Sequence, residues 1–107
     1  MAKFLLTYHN PDFTGLQPTP EQRDKSMQAW TTWFGQLGGA LVDGGQPVGQ
    51  TKTVAANGSA GDGSSNRVTG YSIINVDSID QAVNASKMCP VLADGGSVEV
   101  SQLLDVM

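Results

Sequence analysis

The chain is poor in the residues that usually announce chemistry. It has one cysteine, Cys89, which excludes an internal disulfide and a cysteine-based metal cluster. It has one histidine, His9, and its carboxylates are scattered, so no metal-ligand set stands out and no metal or cofactor is expected. Lysine and arginine together number six and are dispersed, against a net charge of −4. Binding a phosphate backbone needs a concentrated positive surface, so nucleic acid is not an expected partner. No apolar run approaches the roughly 18 residues of a bilayer span, so no membrane partner is expected either. The first eight residues have a single basic side chain and too short an apolar run for a signal peptide, which makes a cytoplasmic location the expectation. The glycines of residues 59–66 lack a following Gly-Lys-Ser/Thr and a strand–loop–helix setting, which argues against a phosphate cradle.

What the chain does have is a pattern. Its 107 residues suit one domain spanning 1–107. A domain this short buries only about two-thirds of its unfolded surface, so a shared interface would help it. The organising stretch is 67–80. Val68, Gly70, Ser72, Ile74 and Val76 point one way, and Thr69, Tyr71, Ile73 and Asn75 the other. Both faces carry apolar residues, as in a central strand, and Asp77-Ser78 ends it. The first strand, from Lys3 to Tyr8, is also apolar on both sides: Phe4, Leu6 and Tyr8 against Leu5 and Thr7. His9-Asn10-Pro11-Asp12 reads as a turn, with a loop to Pro18.

Thr19-Pro20-Glu21-Gln22 is a capping box with proline at the first helical position. The helix is expected to run to about Leu37 and stop at Gly38-Gly39. Met27, Trp30, Trp33, Phe34 and Leu37 form one apolar stripe. Arg23 and Ser26 extend it toward the helix start; Arg23 either snorkels to water from an overhanging first turn or lines the mouth of a pocket floored by Trp30. A short strand, residues 40–43, then breaks into Gly44-Gly45. Residues 46–66 hold a peripheral strand or hairpin arm ending at the hairpin signal Asn57-Gly58, then a mobile loop over 59–66. Ser78-Ile79-Asp80-Gln81 starts a second, short helix ending near Met88, with Ile79, Ala82, Val83 and Ser86 on one face. The last strand covers residues 97–104, with a bulge or strand end at Leu103-Leu104.

The order strand, helix, strand, arm, strand, helix, strand gives two strand–helix–strand units joined head to tail. That is a ferredoxin-like α+β fold, with an antiparallel sheet and two helices on one face. Two helices cover one face only. The second apolar face is then an interaction surface, and a homodimer stacked sheet to sheet with two-fold symmetry is the expected assembly.

Leu41-Val42-Asp43-Gly44-Gly45-Gln46-Pro47, Thr69-Gly70-Tyr71-Ser72-Ile73-Ile74, Asp77-Ser78-Ile79-Asp80-Gln81-Ala82, Cys89-Pro90 and Gly95-Gly96-Ser97-Val98-Glu99-Val100 succeed one another in an order that resembles the YCII-related family. The resemblance covers most of the chain and implies a ferredoxin-like fold paired as a dimeric α+β barrel. The arm is similar to that of longer members with an Asp-Gly-Pro-Phe motif, although here Asp62-Gly63 is followed by Ser64-Ser65. Some members place a histidine on the first helix and an aspartate before the proline after the second helix as an acid–base pair. This chain has Met27 and Trp30 near the first position and Cys89 before Pro90, so that pair is missing.

From the residues themselves, three readings stand. The first is a homodimer with a pocket between the aromatic helix and the sheet, lined by Arg23, Trp30, Asp43 and Tyr71 with His9 nearby, for a small, partly apolar molecule. The second is an enzyme using His9 and Asp43 as acid and base. The third is a structural or regulatory dimerisation module. The bland alternatives are an exposed loop histidine, a turn carboxylate at Asp43, a rim tyrosine at Tyr71 and core tryptophans. A reactive Cys89 thiolate is not expected, since no histidine adjoins it.

Overall fold

The computed structural model describes residues 2–10, 19–63, 66–93 and 95–105. The turn expected at Pro11-Asp12, the loop to Pro18, and Ser64-Ser65 lie outside them. Two-sided patterning gives the two central strands. β1 (Ala2–His9) and β5 (Val68–Val76) pair antiparallel, with Phe4 opposite Ile74 and Leu5 opposite Ile73. β6 (Ser97–Gln102) flanks β1, and the short β2 (Leu41–Asp43) flanks β5, giving the antiparallel order β2-β5-β1-β6. The chain is therefore α+β, with its two apolar-on-both-sides strands at the centre.

Helix α1 (Pro20–Leu37) begins as the capping box dictates. The Gln22 backbone N–H donates to Thr19 Oγ1, and the Thr19 N–H donates to Gln22 Oε1. Its C-terminus does not stop at once at the glycines but tightens into a 3-10 turn, Gly38–Ala40. Helix α2 (Ile79–Ser86) is capped by Ser78 and ends two residues before the expected Met88. A further turn of helix, α3 (Pro90–Ala93), follows, because proline suits the first helical position as well as it restricts the residue before it.

The core lies between one sheet face and these helices. Phe4, Leu6, Tyr8 and Ile74 meet Trp33 from α1, Ala82 from α2, and Cys89 and Val91 near α3. Among the described residues, the opposite face carries no helix in this cluster. The shortest extent of the chain is 18 Å, suited to two layers of secondary structure. No helix among the described residues is long and apolar enough to cross a membrane.

Three expectations change. Met27 is 68% exposed, not part of the buried stripe, because residues 21–29 are exposed throughout and overhang the sheet. Ile79 and Val83 are also exposed; the close approach of α2 is made by its small residues Ala82 and Ser86. Ala60–Asp62, expected within a loop, forms β4 and pairs with β3 (Lys52–Val54) in a separate two-stranded sheet. The turn that closes it rests on Asn57, whose Oδ1 accepts from the Ser59 N–H and hydroxyl.

An isolated hairpin with every strand residue exposed has no apolar face to hold it. Limited trypsin digestion should first cut at Lys52, leaving β1 and β5 intact. A first cut after Lys3 in β1 instead would mean that the arm is the more protected element.

Candidate functional site

The two sheet faces present different chemistry. On the helix side the aromatic stripe closes over Tyr8. Trp30 and Trp33 meet the Tyr8 ring edge-on, with centroids at 4.8 and 6.2 Å, and Phe34 stacks beside both tryptophans at 5.8 and 5.5 Å. Edge-to-face pairs at these separations are favourable. The polar tips are paired as well. Trp33 Nε1–H donates to the Ala85 carbonyl, tying α1 to α2. The Tyr8 hydroxyl donates to Ser72 Oγ at 2.6 Å, and the Ser72 hydroxyl donates onward to the Gly44 carbonyl. Burial pushes the Tyr8 hydroxyl above its ordinary titration range, partly opposed by the bond to Ser72.

Cys89 sits in the same core. Burial raises its thiol from 9.0 to about 11, against a smaller opposing hydrogen bond from the Val91 backbone. Cys89 and Tyr8 are both held neutral by the fold, so the folded state keeps protons that the unfolded chain loses first. Their contribution is fully present below pH 9 and declines as pH rises toward 11 and beyond. The thermal midpoint should therefore fall across that alkaline window, and fall less steeply in Cys89→Ala. Equal slopes in the two proteins would contradict this assignment.

The other face holds the remaining candidates. Cross-strand partners share a face, so Asp43, Ile73, Leu5 and Ser101 form one row across all four strands. Tyr71, Thr7 and Glu99 form the next. Leu5, Tyr71 and Ile73 are half-buried. Asp43 is exposed, and its Oδ1 accepts from the Gly45 N–H at 2.8 Å. Gly45 is required there: its φ is +75°, and a Cβ would fall 1.7 Å from the Tyr71 carbonyl oxygen.

His9 is buried, not an exposed loop residue. A register shift against β5 between Tyr8 and His9 sets it opposite Val68, while the regular pairing with β6 sets it opposite Ser97. Its Nδ1 lies 3.1 Å from the Asn66 carbonyl, which only accepts, so Nδ1 carries the hydrogen. Its Nε2 lies 2.9 Å from Thr7 Oγ1 and 3.2 Å from Glu99 Oε2. In a neutral ring Nε2 accepts a hydrogen bond from the Thr7 hydroxyl, whereas a doubly protonated ring donates from Nε2 to Glu99.

The four residues expected to line one pocket do not converge. Trp30 packs on the helix side, Tyr71 and Asp43 share the open face, and Arg23 stands on the overhanging turns of α1. Nor are His9 and Asp43 brought together. Asp43 is level with Leu5 but two strands away, and His9 lies four residues further along β1. Sheet spacing then separates their backbones by about 16 Å. The space between α1 and the sheet is occupied by the Tyr8, Trp30 and Trp33 rings.

Two participants were not singled out from sequence. Ser72 carried a usable signal, a hydroxyl on the same strand face as Ile74, where burial demands a partner. Glu99 carried none, because its approach to His9 depends on the pairing of β6 with β1, which sets Glu99 opposite Thr7, two residues from His9. An open groove of about 320 Å³ lies between α2, α3 and β6, lined by Val83, Ser86, Lys87, Leu92, Val98 and Val100. No protein-family model and no curated protein matches the chain.

Proposed function

We propose that the chain is a YCII-related protein of ferredoxin-like topology that works as a cytoplasmic homodimer, two sheets stacking into a dimeric α+β barrel. The observation that carries this reading is the row of Leu5 and Ile73, flanked by Tyr71, on the sheet face away from the core helices. These residues belong to the two central strands. A two-fold axis through the Leu5–Ile73 pair stacks the patch on itself, the requirement for an isologous contact. Facing sheets pack about 10 Å apart, close enough for these side chains to interdigitate. No ligand and no reaction are assigned to the assembly.

The two tyrosines make the test specific. Tyr8 is buried in the core and Tyr71 lies on the proposed interface. Nitration with tetranitromethane should spare both at micromolar protein and reach Tyr71 on dilution into the monomer. Tyr71 reacting at one rate regardless of protein concentration would count against the homodimer.

A further inference from the structure

We propose that association through this face is proton-linked, with His9 and Glu99 as the sensing pair. Resting on the homodimer reading above, the proposal adds a regulator, the hydrogen ion. Glu99 shares a row with Tyr71 and Thr7, so its carboxylate, 63% exposed in the single chain, borders the face that a second copy would cover. Covering it strips water from a charge, which is costly unless a partner neutralises it. The partner is already in place. His9 Nε2 lies 3.2 Å from Glu99 Oε2, and Nδ1–H is committed to the Asn66 carbonyl, so the ring faces Glu99 with the one nitrogen free to take up a proton.

Among the described residues the surrounding charges are few. From β6 the titratable group is Glu99 itself. From β5 and the segment before it the charged residue is Arg67, next to Asn66. From β1 it is Lys3, six residues along the strand, and α3 contributes none among its residues. Thr7 bridges without charge, its hydroxyl donating to Nε2 in the neutral ring and sharing the site when the ring is charged.

The sign follows from which state binds more protons. Stacking favours the form in which an imidazolium neutralises Glu99, so the dimer binds more protons than two separate chains. Association therefore strengthens as pH falls. Each chain takes up at most one proton at this site. Partial uptake is expected, giving an association about tenfold tighter at pH 6 than at pH 8.

Sedimentation equilibrium across pH 8 to 5.5 on the wild-type chain and Glu99→Gln tests this, with His9→Gln as a second variant whose fold is checked by circular dichroism. The wild-type dissociation constant should fall about tenfold from pH 8 to pH 6. Glu99→Gln, an exposed and neutral replacement, should associate at pH 8 about as tightly as wild type at pH 6 and show no such slope. A flat wild-type profile, or the same slope in Glu99→Gln, overturns the proton linkage while leaving the dimer standing. A monomer at every pH overturns the homodimer reading and this linkage with it.

Discussion

Trp33→Ala is expected to cost about 3–5 kcal/mol of folding stability, the range for emptying a large aromatic site. Trp33 is 2% exposed and touches Tyr8, Trp30 and Phe34. It also spans the two helices through its bond to the Ala85 carbonyl. Truncation opens a cavity against three rings and leaves that carbonyl without its donor. A small domain has only about 5–15 kcal/mol in total, so this loss removes a large share of its stability. Trp33→Phe separates the two contributions, keeping most of the ring and losing the N–H, at an expected cost nearer 1–2 kcal/mol plus repacking. Urea denaturation followed by circular dichroism reads both. A loss below about 1 kcal/mol for Trp33→Ala would show that the core collapses around the gap.

The second large effect concerns assembly. Ile73→Lys should weaken self-association at least about a hundredfold while leaving the fold intact. Ile73 is half-buried on the open face, with its backbone held in β5 between Leu5 and Asp43. In a single chain the lysine stem lies along the sheet and its ammonium reaches water, so the monomer tolerates it. In a face-to-face dimer two such charges meet near the symmetry axis, where they are desolvated and repel. Val54→Lys, on the 70% exposed arm position, is the matched control and should leave association unchanged. Equal association in Ile73→Lys and wild type would remove this face from the interface.

The sequence and the structure agree where local physics decides. The two-sided strands, the capping box at Thr19, the side-chain cap at Ser78 and the turn at Asn57-Gly58 rest on short-range rules, and each appears in place; at Ser78 the box stays half-made, because the Gln81 side chain accepts from the Asp77 N–H instead. Departures occur where a residue's fate depends on distant partners. Met27 continues the stripe of α1 in sequence but falls beyond the sheet, and nothing local marks where the sheet ends. Ala60–Asp62 is too glycine-rich and short to read as a strand, and becomes one only by pairing with Lys52–Val54. α3 was hidden because Pro90 signals both the end of one helix and the start of another.

The candidate site was less legible for the same reason. Arg23, Trp30, Asp43 and Tyr71 were joined by their order along the chain, whereas the sheet separates Trp30 from Tyr71 and Asp43. His9 was visible as a lone histidine, but its burial and its contacts with Asn66 and Glu99 depend on how β1 is placed against β5 and β6, which nothing local to His9 marks. Ser72 was the one buried polar group whose need for a partner could be read directly from strand alternation.

The central claim is that the face bearing Leu5, Tyr71 and Ile73 is covered by a second copy of the chain. Sedimentation equilibrium of the wild-type chain at micromolar concentration and pH 6 tests it most directly. A species of twice the 11.2 kDa chain mass, reverting to the chain mass in Ile73→Lys, is the predicted result. A wild-type chain that sediments at 11.2 kDa across that concentration range would contradict it.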